Sequence, residues 1–295
     1  MSVTVLDPRG AGLVNGQPEQ VWTGAKWTEG PCVLDDGSLL FSDIPNNRIL
    51  RLAGGKAEVW KQPSNFANGR TLDRDGTIVT CEHGGRRVVR YGRDGSCTVV
   101  VDAHEGRKLN SPNDVVVATD GAVWFTDPPY GIESNYEGYK AESEQTGNHV
   151  YRFDPATGTT RIAAGDFDRP NGLAFSPDGR ILYIADSGAS RGAAYGDEAF
   201  VPSRPHHIRA FDVSGEGMLS NDRVFAVIDA GVPDGIRVDA AGNVWTSAWD
   251  GVRVHAPDGT MILKIALPEM VSNLCFGAGQ LWITATTSVY RVALA

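Results

Sequence analysis

The chain has 295 residues, of which 41% are hydrophobic and 21% charged, and this balance allows a substantial buried core. Its formal net charge of -9 argues against a nucleic-acid partner, which requires clustered Lys and Arg. The chain has neither a basic start followed by an apolar segment nor an apolar run of about eighteen residues, so we expect no membrane partner and a cytoplasmic location.

One short unit recurs six times along the chain. Its copies are "GPCVLDDGSLLFSD" (30–43), "GRTLDRDGTIVTCE" (69–82), "DVVVATDGAVWFTD" (114–127), "GLAFSPDGRILYIAD" (172–186), "GIRVDAAGNVWTSA" (235–248) and "LCFGAGQLWITA" (274–285). Each copy joins two apolar runs through a tight turn that contains glycine, which is typical of a β-hairpin. A third strand follows each hairpin, as in "NRILRL" (47–52) and "HVYRFD" (149–154).

Six small sheets without a helical period between them favour radial repetition, which leaves only short exposed strand edges. The sequence therefore predicts an all-β fold, a six-bladed β-propeller with a central channel, formed by residues 1–295 as a single domain. The sixth copy lacks an outer strand, so we expect the N-terminal strand "SVTVLD" (2–7) to close the last blade. Two β-sandwiches are the alternative, but no shift in composition marks a linker between them.

Two insertions separate the second strand from the third, at 130–148 in the third copy and at 188–206 in the fourth. The second strand of a blade returns to the face where the first strand began. Both insertions are therefore expected to overhang the face at which the first strands start.

Four cysteines, Cys32, Cys81, Cys97 and Cys275, lack the spacing of a zinc site. We expect them to be reduced and to behave as small buried hydrophobic residues. A disulfide between Cys32 and Cys275 is the alternative.

A side chain with an oxygen atom stands immediately before the first strand of every copy: Glu29, Asn68, Asn113, Asn171, Asp234 and Asn273. The first strand of a propeller blade lines the channel, so these six side chains are expected to converge. Asn-Gly and Asp-Gly are also ordinary turn dipeptides, but turn formation does not account for Glu29. Two carboxylates in a narrow channel require a cation between them, and an oxygen-only set suits a hard ion. We predict one divalent metal ion, with Ca²⁺ favoured and Mg²⁺, Mn²⁺ and Zn²⁺ open.

Asp114, next to Asn113, occupies a slot that glycine fills in four other copies: Gly30, Gly69, Gly172 and Gly235. Side chains alternate along a strand. We therefore expect the Asp114 side chain to point away from the axis and to bond neighbouring backbone or Ser111.

A second polar set ends the second strands: Asp43, Glu82, His83, Asp127, Asp186, Trp249 and Asp250. Each could be a turn residue that bonds backbone. Together they predict an acidic, partly aromatic rim around the metal. Asp127 and His83 are the candidates for touching a substrate, because each lies where a strand gives way to a loop on the metal's face. No G-x-S-x-G motif supplies a serine nucleophile, and neither GxGxxG nor a P-loop occurs.

Four segments, in order, resemble the gluconolactonase branch of the senescence-marker-protein or regucalcin family. They are "WTEGPCVLDDGSLLFSD", "SPNDVVVATDGAVWFTDPPYG", "RPNGLAFSPDGRILYIADS" and "PDGIRVDAAGNVWTS". The resemblance implies a six-bladed propeller with one divalent metal held by Glu29, Asn171 and Asp234. It implies that Asn113 is a further ligand or a hydrogen-bond donor to the substrate, and that Asn68 and Asn273 do not coordinate the metal directly.

The resulting functional prediction is a metal-dependent hydrolase that opens a sugar lactone, such as an aldono-1,5-lactone. The metal would polarise the lactone carbonyl and activate water, with Asp234 as the general base and Asn113 orienting. Asp127, His83 and Trp249 would hold sugar hydroxyl groups.

Two alternatives stay open. Related propellers, the diisopropylfluorophosphatases and paraoxonases, use a similar ring on phosphotriesters and lactones, so the substrate could be a phosphotriester or a non-sugar lactone. The polar composition of the two insertions favours a sugar. A non-enzymatic propeller that binds calcium or a protein partner is the second alternative. The sequence carries no signal for the oligomeric state.

Overall fold

The computed structural model describes residues 1–191 and 200–295, and its strands form a six-bladed β-propeller. The N-terminal strands are β1 (Ser2–Val5) and β2 (Val14–Thr23), with a 3₁₀ turn, Pro8–Gly10, between them. The first blade contains β3 (Thr28–Val33), β4 (Leu39–Asp43), β5 (Arg48–Ala53) and β6 (Lys56–Lys61). A second 3₁₀ turn, Ile44–Asn46, links β4 to β5. The second blade contains β7 (Ala67–Leu72), β8 (Ile78–Glu82), β9 (Arg87–Tyr91) and β10 (Cys97–Val101).

A short ribbon of β11 (Ala103–His104) and β12 (Arg107–Lys108) leads into the third blade. That blade contains β13 (Val115–Val117), β14 (Val123–Asp127), β15 (Asn148–Asp154) and β16 (Thr159–Phe167). The fourth blade contains β17 (Pro170–Phe175), β18 (Ile181–Asp186), β19 (His207–Val213) and β20 (Leu219–Val227). The fifth contains β21 (Ile236–Val238), β22 (Val244–Ala248), β23 (Gly251–His255) and β24 (Met261–Ala266). The sixth contains β25 (Val271–Gly277), β26 (Gln280–Ala285) and β27 (Ser288–Leu294).

An N-terminal strand closes the last blade, as predicted, but it is not the predicted segment. β2 pairs antiparallel with β27, with Thr23 opposite Ser288. β1 instead pairs with β24 as the fifth strand of the fifth blade, with Ser2 opposite Ala266. The prediction overlooked β2 because Gly16 and Pro18 interrupt its pattern, although proline is tolerated in an outer strand whose free edge needs no donor.

Aromatic side chains fill the space between adjacent blades. Trp124 of the third blade meets Phe175 of the fourth edge to face, with ring centroids 5.7 Å apart. Trp245 of the fifth blade contacts Phe276 of the sixth in the same way, at 5.5 Å. Fully burying one large apolar side chain contributes about 1.5–3 kcal/mol, so this packing fixes each blade against the next.

The inner strands approach one another so closely around the channel that glycine is required. The Gly172 N–H donates to the Asp234 carbonyl oxygen of the next blade at 2.9 Å. A Cβ at Gly172 would lie 2.1 Å from that oxygen, and one at Gly30 would lie 2.2 Å from the Asn68 carbonyl oxygen. Glycine after the polar residue therefore holds the starts of neighbouring strands together, which brings the polar residues themselves close.

The described residues contain little helix. α1 (Tyr130–Glu133) opens the first insertion, and no helix among the described residues is long and apolar enough to cross a membrane.

All four cysteines are free, which confirms the expectation of reduced thiols over a Cys32–Cys275 disulfide. Cys97 is exposed rather than buried, because it begins β10, the outermost strand of its blade.

Candidate active site

A cavity opens at the channel mouth on the face where the inner strands start. Five of the six predicted ring residues line it: Glu29, Asn68, Asn113, Asn171 and Asp234. Both insertions reach it as predicted, through Tyr130 and Glu137 of the first and Ser190 of the second. Residues 192–199 of the second insertion lie outside the described residues.

A β-bulge at the start of the inner strand explains where Asn113 and Asp114 lie. The Asn113 N–H donates to the Thr126 carbonyl oxygen at 2.9 Å, and the Thr126 N–H donates to the Asp114 carbonyl oxygen at 3.1 Å. Asn113 and Asp114 therefore both lie opposite Thr126, and the usual alternation of side chains along the strand is interrupted there.

The expectation that Asp114 points away from the axis is consequently wrong. Its Oδ1 does accept from neighbouring backbone, the Val115 N–H, at 2.9 Å. Its Oδ2, however, lies 3.4 Å from Asn273 Nδ2 and 3.7 Å from Arg237 Nη1, residues of the sixth and fifth blades. Asp114 thus bridges blades inside the channel, where the glycine at position 69 leaves room for its carboxylate.

The two ring carboxylates are short of positive partners. Burial, followed by the negative charge of Asp114, raises the pKa of Glu29 to about 7. Burial and then the charges of Glu29 and Asp114 raise the pKa of Asp234 well above its ordinary range. Neutral amides supply the local hydrogen bonds, with Asn273 Nδ2 donating to Glu29 Oε2 at 3.0 Å and Asn171 donating to Asp234. A cation between the carboxylates would relieve this repulsion.

Two amide oxygens of the cavity wall have no hydrogen-bond partner among the residues that the structure describes. Asn68 and Asn171 are buried and line the cavity, and the Oδ1 atom of each is unpaired. A buried polar atom without a partner is costly, so such atoms call for a ligand. Within residues 1–191 and 200–295, no group of three or more His, Cys, Asp or Glu is arranged to hold a metal ion. A metal site here must therefore combine carboxylates with amide oxygens, which suits a hard divalent cation.

His83 lies behind Asn68 rather than on the cavity wall. Its Nδ1 is 3.1 Å from the Glu137 carbonyl oxygen, which can only accept, so Nδ1 carries the proton. Burial lowers the pKa of His83 to about 4, so the ring is neutral at pH 7. Nε2 therefore accepts from Asn68 Nδ2 at 3.0 Å, which turns Asn68 Oδ1 towards the cavity.

The carboxylates at the ends of the second strands accept hydrogen bonds from the protein itself, although Oδ1 of Asp127 is buried without a partner among the described residues. Asp127 Oδ2 accepts from the Asn110 N–H at 2.8 Å, and Asp127 does not line the cavity. Asp43 accepts from Arg48 Nε at 2.9 Å, and Glu82 accepts from Arg87 Nε at 2.7 Å. Asp186 accepts from the backbone N–H groups of Asp168 and Arg169 at 3.1 and 3.0 Å. Of the predicted substrate-binding residues, the structure places Asn113 and Trp249 on the cavity and His83 and Asp127 outside it.

Sequence reasoning did not identify Trp27, Tyr130 or Glu137 as site residues, although all of them line the cavity. Arg169 lies over the Tyr130 ring, 5.0 Å from its centroid, and pairs with both carboxylate oxygens of Glu133 at 2.9 and 2.6 Å. Trp27 could have been identified as a site residue from its position two residues before Glu29. No repeat position marks Glu137, because it belongs to an insertion.

Comparisons with known proteins agree with this architecture of a six-bladed propeller with an oxygen-lined cavity at the channel mouth. The family model described as SMP-30/Gluconolactonase/LRE-like region matches residues 27–287. A gluconolactonase from Zymomonas mobilis is 33% identical, over 93% of this chain and 80% of that protein. A pentonolactonase from Haloferax volcanii is 27% identical, over 88% of this chain and 80% of that protein.

Solved structures extend the same relationship. The structure of a gluconolactonase from Xanthomonas campestris superposes with a TM-score of 0.90 at 32% sequence identity, covering 99% of this chain and 94% of that one. The chain therefore belongs to the SMP-30/gluconolactonase/LRE-like family, which confirms the resemblance seen in the sequence motifs.

Proposed function

We propose that the protein is a lactone hydrolase that opens a sugar lactone with the help of one divalent metal ion. The observation that carries this proposal is the cavity itself, where Glu29 and Asp234 converge at the channel mouth with amide oxygens that have no partner within residues 1–191 and 200–295. The related gluconolactonase and pentonolactonase support a hydroxylated lactone as the substrate class.

Glu29, Asn171 and Asp234 are the residues that would hold the metal. Asn113 would be a further ligand or a hydrogen-bond donor to the substrate. Their oxygen-only chemistry favours Ca²⁺, while Mg²⁺, Mn²⁺ and Zn²⁺ fit the same donors. A bound divalent metal supplies Lewis acidity, which polarises a carbonyl group and makes water more acidic. Asn171 donates to Asp234, and its buried Oδ1, which has no partner among the described residues, is available to a metal ion.

Asp234 is the proposed general base. Its carboxylate takes a proton from the attacking water as the new C–O bond forms, and Asn113 orients the reactants by hydrogen bonding. Asp234 then returns that proton to the ring oxygen as the ester C–O bond breaks, and the product is the open hydroxy acid. Burial raises the pKa of Asp234, which strengthens its carboxylate as a base, and an adjacent positive charge would lower that pKa and favour the ionised form.

Aromatic residues shape the rest of the cavity. Trp27 and Trp249 line it, and Trp249 is held by Phe200, with ring centroids 5.0 Å apart. Flat aromatic faces can cover the C–H surface of a sugar ring and exclude water from it.

A lactone panel tests the proposal, because opening a lactone at neutral pH releases a proton that a pH indicator reports. The panel contains hydroxylated 1,5-lactones, unsubstituted lactones and a phosphotriester, each corrected for spontaneous hydrolysis. We expect the highest kcat/KM for a hydroxylated lactone. Preference for a phosphotriester or for an unsubstituted lactone would overturn the sugar assignment, and hydrolysis of no lactone would overturn the enzymatic proposal.

A further inference from the structure

We propose that Asn68 and Glu137 form a pair of hydrogen-bond acceptors that selects lactones bearing hydroxyl groups, and that His83 is the positioning residue of this pair. The inference rests on the proposed lactone hydrolase function and assigns its substrate specificity to residues outside the metal set.

Glu137 supplies a carboxyl group to the cavity, and burial followed by the charge of Glu133 raises its pKa to about 7. It lines the cavity, and among the described residues its carboxylate forms no hydrogen bond or ion pair. Its negative charge is close enough to Asp234 to raise the pKa of that group, and the two residues line the same cavity. A half-buried carboxylate without a partner is available to accept hydrogen bonds from a ligand.

Asn68 supplies a neutral acceptor beside it. Its Nδ2 donates to His83 Nε2 at 3.0 Å, and its buried Oδ1 has no partner in the described part of the chain. The same imidazole donates from Nδ1 to the Glu137 carbonyl oxygen at 3.1 Å. One neutral ring therefore fixes both the orientation of the Asn68 amide and the position of the Glu137 backbone.

The segment that carries Glu137 is rigidly anchored. A Cβ at Gly131 would lie 2.5 Å from the Cβ of His83, and one at Gly138 would lie 2.0 Å from the Gly131 carbonyl oxygen. The Ala141 N–H donates to the Ile132 carbonyl oxygen at 3.0 Å, and Arg169 pairs with Glu133 from the fourth blade. The acceptors are consequently preorganised before a ligand binds.

Two adjacent acceptors require donors from the ligand. The carbonyl and ring oxygens of a lactone only accept hydrogen bonds, and a phosphotriester likewise has no donor. Hydroxyl groups on the lactone ring are the donors that match. A buried site built to bond a hydroxyl group strongly disfavours an analogue without it, because its polar groups are then left unpaired.

The test measures the ratio of kcat/KM for glucono-1,5-lactone to that for δ-valerolactone, which has the same ring without hydroxyl groups. We expect Glu137→Gln to lower this ratio by about 10–100-fold, mainly through a higher KM for the hydroxylated lactone. Glu142→Gln removes the same charge from an exposed position of the same insertion and should leave the ratio unchanged. An unchanged ratio in Glu137→Gln overturns the proposal. So does a loss of metal affinity equal to that of Glu29→Gln, which would make Glu137 a metal ligand.

Two His83 variants test the positioning role. His83→Phe leaves Asn68 without its acceptor and should lower the ratio, while His83→Gln offers an oxygen to Asn68 and an N–H to the Glu137 carbonyl and should restore it in part. Equal ratios in the two variants, at matched thermal stability, would show that His83 is merely structural.

The proposed function and this inference can fail separately. If the wild-type protein opens no lactone, the proposed function fails. Calorimetric binding of gluconolactam, which has the same hydroxyl groups and no ester bond, then tests the acceptor pair alone. Weaker binding in Glu137→Gln than in Glu142→Gln supports the pair, and equal binding overturns it.

Discussion

Two sets of carboxylates occupy the same face of the propeller and differ in their partners. The inner set, Glu29 and Asp234, stands at the starts of inner strands, and the outer set, Asp43, Glu82, Asp127 and Asp186, stands at the ends of second strands. Backbone N–H groups or arginines bond at least one oxygen of every member of the outer set, although Oδ1 of Asp127 has no partner among the described residues. Only amide side chains and the N–H of Gly30 reach the inner set among the described residues.

The difference shows that a carboxylate at a strand end has a structural role where hydrogen-bond donors of the protein surround it. Where such donors are few, the carboxylate is a candidate metal ligand. An acidic residue at a strand end therefore does not by itself identify a ligand. The inner set lies over the open channel, where the close approach of the strands leaves no loop to supply N–H groups. The outer set lies where each strand turns into a loop whose backbone donors are free.

The largest expected effect comes from removing an inner carboxylate. Asp234→Ala should lower kcat/KM for lactone opening by about 1000-fold or more, because it removes the general base and a metal ligand together. The pH-indicator assay measures the rate, and calorimetric titration with Ca²⁺ measures the metal affinity. Full activity in this variant, or lost activity with unchanged metal affinity, would contradict the double role.

Removing an outer carboxylate should instead lower stability. Asp186→Ala deprives the N–H groups of Asp168, Arg169 and Gly188 of their acceptor. We expect the free energy of unfolding to fall by about 2–4 kcal/mol, as measured by urea denaturation. The folded variant should bind the metal as the wild type does. Weaker metal binding at nearly unchanged stability would place Asp186 in the inner set.

A smaller effect should appear in the pH dependence of stability. Burial raises the pKa of Asp127 from its ordinary value of 3.8 to about 7. Between these values the folded protein holds a proton that the unfolded chain has lost, so this group lowers stability as the pH rises from about 4 to about 7. Asp127→Asn removes that titration. The difference in unfolding free energy between variant and wild type should therefore shift in favour of the variant across this interval, and a constant difference would contradict the raised pKa.

The sequence was sufficient to predict the blades because each one repeats the same hairpin, and the glycine-containing turns mark every copy. It was also sufficient to align Glu29, Asn113, Asn171 and Asp234, since the polar residue before each inner strand holds one register. The strand that closes the last blade was assigned to residues 2–7 instead of to β2. β2 has the irregular pattern that an outer strand tolerates, so period-based reasoning passed over it.

The errors inside the channel have a different cause. The orientation of Asp114 follows from a β-bulge. A bulge depends on the hydrogen bonds to the partner strand, so the alternation of residues along one strand does not reveal it. His83 and Asp127 were placed against a substrate because they end strands. The structure shows that loop atoms of Glu137 and Asn110 reach them first. The path of a long insertion depends on tertiary contacts, so Glu137 could not be placed from the sequence.

The most direct test of the central claim is lactone opening by the chelated protein, with single metals added back. Protein freed of metal and verified by elemental analysis should open glucono-1,5-lactone no faster than the uncatalysed background. Addition of Ca²⁺, or of Mg²⁺, Mn²⁺ or Zn²⁺, should restore the rate to the wild-type protein in a saturable manner but not to Asp234→Ala. Full activity in metal-free protein would contradict the claim that the inner carboxylates act through a bound cation.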